Sequence, residues 1–272
     1  MNYRPLAALV LAAALAPALA APRKPHPPPA DPARLVAAIE NADRLPALSL
    51  GSQGAPVIRA QALLDRHWFA PGPIDGRFSA DMQRAVRAFQ FARGLRPSGQ
   101  VDAATWQALQ ADGAKPLARH VVAANDLPKG KGAPAKRLLQ ALAERFHSTP
   151  ALLQKLNRGR TFGAGSELVV PAVLDTKPGA KAASVQVLKG DRQLLLLDAG
   201  GRPLAAFPVS LGRPLAEGAR KIQPGANGAR LELTPGCPLD GSAAPGCLRL
   251  ASWDAQRVAS QVEPGFVVDV LP

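Results

Sequence analysis

The sequence predicts an α+β multidomain chain, and three observations carry that expectation. Residues 46–111 hold apolar stripes at helical spacing, each bounded by turn and capping residues. Residues 137–172 read as two short helices followed by a strand. Residues 183–272 read as short strands around a hairpin turn, with one short amphipathic helix near the end. A length of 272 residues suits two or three small domains. The 47% hydrophobic content is that of a globular chain, and 28 prolines and 24 glycines point to linkers and short elements.

Residues 1–20 have the layout of a secretory signal. Arg4 supplies the positive start, Leu6 to Leu15 the apolar run, and Ala18-Leu19-Ala20 the small-x-small cleavage site. The apolar run is shorter than the ~20 residues a spanning helix needs. The expected mature chain starts near Ala21, has no membrane span after cleavage, and is exported to the periplasm or cell envelope. Residues 21–45 form a stiff Pro-rich tether and then a short helix from Asp31 to Asn41, with Leu35, Ala38 and Ile39 in register. The net charge of +13 suits anionic envelope polymers as partners. Export and the lack of a basic-aromatic recognition motif argue against nucleic acid.

In residues 46–111, Gly51-Ser52-Gln53-Gly54 turns into a helix starting near Pro56, with Val57, Gln61, Leu64 and Trp68 on one stripe. Gly72 to Phe78 is a loop, and Ser79 caps a second helix carrying Met82, Ala85, Val86 and Phe89. Gly94 ends that helix. Asp102 caps a third, which carries Trp106 and Leu109. The quoted residues, with Leu50-Gly51-Ser52-x-Gly54, Ile74-Asp75-Gly76-x-Phe78, Phe89-Gln90, Gly94-Leu95, Gly99-x-Val101-Asp102 and Thr105-Trp106-x-x-Leu109, resemble the three-helix peptidoglycan-binding domain. Phe78, Phe89 and Trp106 are expected in the core. The resemblance implies a pocket between the loops and the second helix, with Asp75, Gly76, Arg77 and Gln90 as peptidoglycan-binding residues.

Residues 112–136 are rich in Gly, Pro and Lys and read as a linker. In 137–172, Leu138, Leu139, Leu142 and Phe146 share a helix face, Thr149 caps Pro150 to Leu156, and Gly163 to Ser166 turns into the strand Glu167 to Pro171. This run is similar to a small LysM-like βααβ unit, without that unit's Gly-Asp-Thr-Leu start. It is expected to act as a packing spacer.

In 183–272, strands Ser184 to Leu188 and Gln193 to Asp198 flank a Gly190-Asp191 turn, and Pro203 to Leu211 is a third strand. Gly246-Cys247-Leu248-Arg249-Leu250 then leads into Trp253-Asp254-Ala255, Gly265 and Val267. This resembles the nucleophile segment of the L,D-transpeptidases, on a truncated, degenerate β domain. The resemblance implies Cys247 as nucleophile, with Arg249 beside it in the catalytic set. The family's Ser/Thr-His pair is Ala244-Pro245 here, and its upstream histidine falls at Glu232. A thiolate needs a base or a positive field to form, and a carboxylate acts in the opposite sense.

Cys237 and Cys247, ten residues apart in an exported chain, are a disulfide candidate that would remove the nucleophile. The expected function is therefore an exported peptidoglycan-binding protein with an inactive transpeptidase-like domain. The alternatives are an active L,D-transpeptidase using Cys247, and a thiol redox protein using Cys237 and Cys247. No cofactor and no metal are expected, since His67 and His120 lack ligand-spaced partners.

Overall fold

The computed structural model describes residues 31–43, 45–127, 134–174, 176–211, 218–221, 223–224, 231–232, 248–262 and 266–272. The expected signal at 1–20, most of the tether, and both Cys237 and Cys247 lie outside the described residues. Within them the chain is a mixed α+β protein, as its periodicities predict.

Helix α1 (Pro32–Glu40) starts where Asp31 accepts a hydrogen bond from the Ala33 N–H. Helices α2 (Ala55–Arg66), α3 (Ala80–Ala92) and α4 (Ala103–Leu109) form the first unit. Ser79 Oγ accepts from the Met82 N–H at 3.2 Å, and Asp102 Oδ1 from the Thr105 N–H at 2.8 Å. Each cap satisfies a donor that a helix start leaves orphaned. Phe78, Phe89 and Trp106 are buried between the helices, as expected.

The second unit runs β1 (Leu117–Val121), a short 3-10 turn, α5 (Pro134–Arg145), α6 (Pro150–Leu156) and β2 (Glu167–Pro171). Strands β1 and β2 pair antiparallel, with Leu117 opposite Pro171 and Val121 opposite Glu167. Residues 117–121, read in the sequence as linker, are thus the missing first strand of the βααβ arrangement. Only Leu117 of β1 is buried, so the strand shows no apolar alternation to read.

The C-terminal domain comprises β3 (Ser184–Leu188), β4 (Gln193–Leu197), β5 (Pro203–Pro208), β6 (Ser210–Leu211), β7 (Gly218–Lys221), β8 (Gln223–Pro224), β9 (Leu231–Glu232), β10 (Leu248–Arg249), α7 (Ser252–Ala259) and β11 (Val267–Leu271). Its main sheet has the order β5-β4-β3-β11-β7, with β3 and β11 parallel and the other neighbours antiparallel. Strand β6 pairs with β10, and β8 with β9. The expected single strand 203–211 is divided at Val209: its N–H still donates to the Arg192 carbonyl at 2.8 Å, continuing the β4 ladder, whereas Ser210 and Leu211 pair with β10.

Every residue of β4 is buried, although a strand on an ordinary two-layer sheet alternates. Leu194 and Leu196 join Val185, Val187, Phe207 and the inner face of α7 in one core. Leu195 and Leu197 point the other way, into the core that holds Phe69, Phe89 and Trp106 of the first unit. The sheet therefore serves two cores, and its second face is closed by the three-helix unit. The backbone joins them as well: the Ala70 N–H donates to the Ala206 carbonyl at 2.8 Å, and the Ala206 N–H to the Trp68 carbonyl at 2.9 Å.

Candidate functional site

Residues Asp75, Gly76 and Arg77 lie on one loop between α2 and α3, and a buried glutamine holds that loop. Gln61 Nε2 donates to Asp75 Oδ1 at 3.1 Å and to the Arg77 carbonyl at 3.2 Å. Gln61 Oε1 accepts from the Gly76 N–H at 2.8 Å and the Asp75 N–H at 3.2 Å. Asp75 Oδ1 also accepts from the Arg77 N–H at 2.8 Å. The Asp75 and Arg77 side chains stay exposed at the loop surface, while Gly76 is buried. A carboxylate and a guanidinium are thus presented on a preformed turn, a geometry suited to hydrogen-bonding a polar glycan or peptide.

Gln90 does not join this group. It is fully buried, and its amide holds the other loop, accepting from the Gly99 N–H at 2.9 Å and donating to the Gln100 carbonyl and Thr105 Oγ1, each at 2.8 Å. Gln61 and Gln90 are therefore a matched pair of loop-holding amides. In the sequence Gln61 shows only as one position of a helical stripe.

Gly76 has φ +82°, and a Cβ there would meet Ile58 Cγ1 at 3.0 Å. Gly76→Ala is expected to lower stability by about 1–2 kcal/mol from the left-handed backbone alone, with more from displacing Ile58. Urea unfolding of the purified variant checks this, and an unchanged midpoint would contradict it.

Arg249 stands on β10 opposite Ser210 of β6. It lines a cleft of about 930 Å³ together with Arg84, Arg192, Glu144 and Trp253. Pro73 and Ser79 of the three-helix unit form part of the same wall, so the cleft is shared between units. Strand β9, which carries Glu232, lies beside β10. Gly246 and Cys247, just before β10, are outside the described residues.

A buried charged group centred on Asp65 was not singled out in the sequence. Asp65, fully buried on α2, accepts from Arg257 Nη2 of α7 at 2.8 Å and is hydrogen-bonded to His147 Nδ1 at 2.9 Å. Burial pushes the Asp65 carboxyl up, but Arg257 and His147 together outweigh it and hold it below the usual carboxylate range. The His147 ring stacks on Trp253 at 5.2 Å and 15°, and the Arg257 guanidinium lies over Trp68 at 5.3 Å. Asp254 of the Trp-Asp-Ala run is also buried. Desolvation, aided by the charge of Asp65, drives its carboxyl well above the ordinary range. His147, two residues past the end of α5, is thus packed against two other units. The available signal for Asp65 was its place four residues after Gln61 on a buried helix face.

No group of three or more His, Cys, Asp or Glu side chains suited to a metal occurs among the described residues. No described helix is long and apolar enough to cross a membrane.

Comparison with known proteins gives one match at the sequence level. Residues 53–109 match the family described as "Putative peptidoglycan binding domain". No curated protein is significantly similar to the chain. Among solved structures, the L,D-transpeptidase (residues 123–326) of Xylanimonas cellulosilytica is 17% identical with a TM-score of 0.33, over 85% of this chain and 99% of that one. A fused Zn-dependent amidase/peptidase/peptidoglycan-binding domain-containing protein of Clostridium acetobutylicum is 18% identical with a TM-score of 0.28, over 84% and 100%. L,D-transpeptidase 1 of Mycobacterium tuberculosis is 16% identical with a TM-score of 0.28, over 42% and 81%. Residues 53–109 thus carry the sequence pattern of a peptidoglycan-binding domain, set within a longer α+β chain.

Proposed function

We propose that this protein is exported to the cell envelope, where it binds peptidoglycan through its three-helix unit and carries a C-terminal L,D-transpeptidase-like domain without transpeptidase activity. The observation that carries the reading is the family match at 53–109 together with the Gln61-held loop that presents Asp75 and Arg77. The signal-like residues 1–20 and the net charge of +13 support the envelope location and a contribution from other anionic envelope polymers. The inactive character rests on sequence chemistry. The chain has no histidine after His147, and Glu232 and Pro245 stand where the resembled family has histidines. The proposed pairing of Cys237 with Cys247 is a further reason to expect no free nucleophile.

The test uses the purified full-length chain and washed peptidoglycan. The protein is expected to sediment with the polymer at low salt and to be partly released at ~1 M salt, where the Debye length falls to ~3 Å. Asp75→Ala combined with Arg77→Ala is expected to reduce the bound fraction severalfold. Protein that remains in the supernatant at low salt would overturn the proposal.

A second reading, an active L,D-transpeptidase using Cys247, is favoured by one observation. The Asp65-oriented His147 lies against Trp253, on the helix that follows the cysteine-bearing segment. The two readings part in intact-mass spectrometry after exposure to a carbapenem. No adduct is expected, whereas a stoichiometric adduct lost in Cys247→Ala would establish the active enzyme.

A further inference from the structure

We propose that the groove between α3 and the outer face of the β3–β4 hairpin docks an extended segment of a partner protein, one with an apolar anchor residue and an acidic residue beyond it.

The two faces of this hairpin differ. Val185, Val187, Leu194 and Leu196 enter the C-terminal core, so Gln186, Leu188, Gln193 and Leu195 turn outward. The register sets Gln186 opposite Leu195 and Leu188 opposite Gln193, a checkerboard of two amides and two leucines. Helix α3 covers only part of it. Between helix and sheet a groove of about 270 Å³ remains, with Leu188, Leu195 and Leu197 on the sheet side and Ala88 and Phe91 on the helix side. That volume is below the ~300–1,000 Å³ of drug-sized ligands. It suits one apolar side chain with the peptide groups on either side of it.

Gln193 gives the groove its ligand chemistry. It is 5% exposed and lines the groove, yet its side-chain amide has no hydrogen-bond partner among the described residues. The half-buried Gln186 amide has none either. A glutamine amide offers donors and an acceptor together, and a peptide group matches it on both counts. A hydrocarbon ligand would leave both amides unserved. Diagonal neighbours on antiparallel strands stand ~7–8 Å apart, close to the ~6.8 Å between residues two apart in an extended chain. The two amides can therefore serve two peptide groups of one extended segment, with its apolar side chain held by the leucines between them.

The groove walls carry opposite charges. Arg87 of α3 is exposed and has no ion-pair partner among the described residues, whereas Arg84 is engaged by Asp81. Asp191, on the hairpin turn, lines the other wall. An acidic residue of the segment fits the α3 wall, and a basic one fits the turn. The same sheet face continues over β11, where Leu271 stands beside Leu188 and both Val267 and Leu271 are exposed. On the helix side Phe91 is 57% exposed. Apolar surface thus extends past the groove on both sides, as at a surface that meets a protein.

The experiment is fluorescence anisotropy of the full-length chain with a fluorescein-labelled peptide, Lys-Ser-Leu-Ser-Glu amide. Saturable binding is expected, at least tenfold weaker when the leucine is replaced by serine or when the peptide nitrogens flanking it are methylated. Gln193→Leu removes the amide and keeps an apolar side chain in the groove, and is expected to weaken the peptide about tenfold. Arg87→Glu, at an exposed helix position, is expected to weaken it severalfold and to recover affinity for the peptide ending in lysine. No saturable signal at millimolar peptide, equal affinity for the leucine and serine peptides, or full affinity in both variants would overturn the proposal. Washed peptidoglycan is added as a competitor. Bound peptide that stays in place supports a protein segment as the occupant, whereas its displacement would assign the groove to the wall polymer. A dimer on size exclusion that Gln193→Leu abolishes would assign it to a second copy of the chain, and either assignment overturns the proposal.

Discussion

Asp65→Ala is expected to lower the free energy of unfolding by about 3–5 kcal/mol, the usual result of removing one partner from a buried ion pair. Asp65 is completely buried and Arg257 is 9% exposed, so solvent screens the charge that remains only weakly. Arg257 would keep only the Val173 carbonyl, and the His147 ring would lose the group that orients it. The three partners come from three units, so the whole chain should be affected, not one part.

The pH dependence follows from the depressed Asp65 carboxyl. Its contribution is complete above the unfolded carboxylate pKa of ~3.9 and is lost as pH falls through the lower folded value. The wild-type chain should therefore lose stability on the acid side more steeply than Asp65→Ala. Asp254 has the opposite sign. Its raised carboxyl contributes fully below the unfolded pKa, and that contribution is lost as pH rises through the folded value. Urea unfolding at several pH values checks both. An Asp65→Ala loss under about 1 kcal/mol, typical of an exposed pair, would show that the buried network has no such role.

Phe69→Ala is expected to cost about 3–5 kcal/mol, as for other buried aromatic truncations. Phe69 is 2% exposed and meets Phe89 edge-on at 5.4 Å and 80°. It also lies in the core that takes Leu195, Leu197 and Ala206 from the C-terminal sheet. The neighbouring backbone pairs with β5 through Ala206. The cavity would thus open at a seam between units, where both sides supply wall atoms. One cooperative transition, shifted as a whole to lower temperature, is expected by calorimetry. Two transitions, with only one displaced, would mean that the three-helix unit and the sheet unfold independently.

Much of the local architecture was legible in the sequence. The caps at Ser79, Asp102 and Thr149 fall where expected, as do the hairpin turn at Gly190-Asp191 and the strand limits of β3. Of the predicted binding residues, Asp75 and Arg77 are exposed on their loop, whereas Gln90 is wholly engaged within the fold. That distinction was not visible, because a glutamine in the chain reads the same whether its amide faces a ligand or a loop. Strand β1 was missed because an exposed edge strand carries little apolar alternation.

The sequence by itself determined the elements whose stabilising contacts span a few residues: a side-chain oxygen and an N–H three positions on, a glycine in a tight turn, an apolar stripe at helical spacing. Only the tertiary structure decided that β4 is buried on both faces, with alternate leucines entering different cores. It also decided that Asp65 meets His147 across 82 positions and Arg257 across 192. Contacts of that separation leave no periodic trace in the chain. They exist because three separately legible units pack against one another, and that packing removes water from a carboxylate, a guanidinium and an imidazole at the same point.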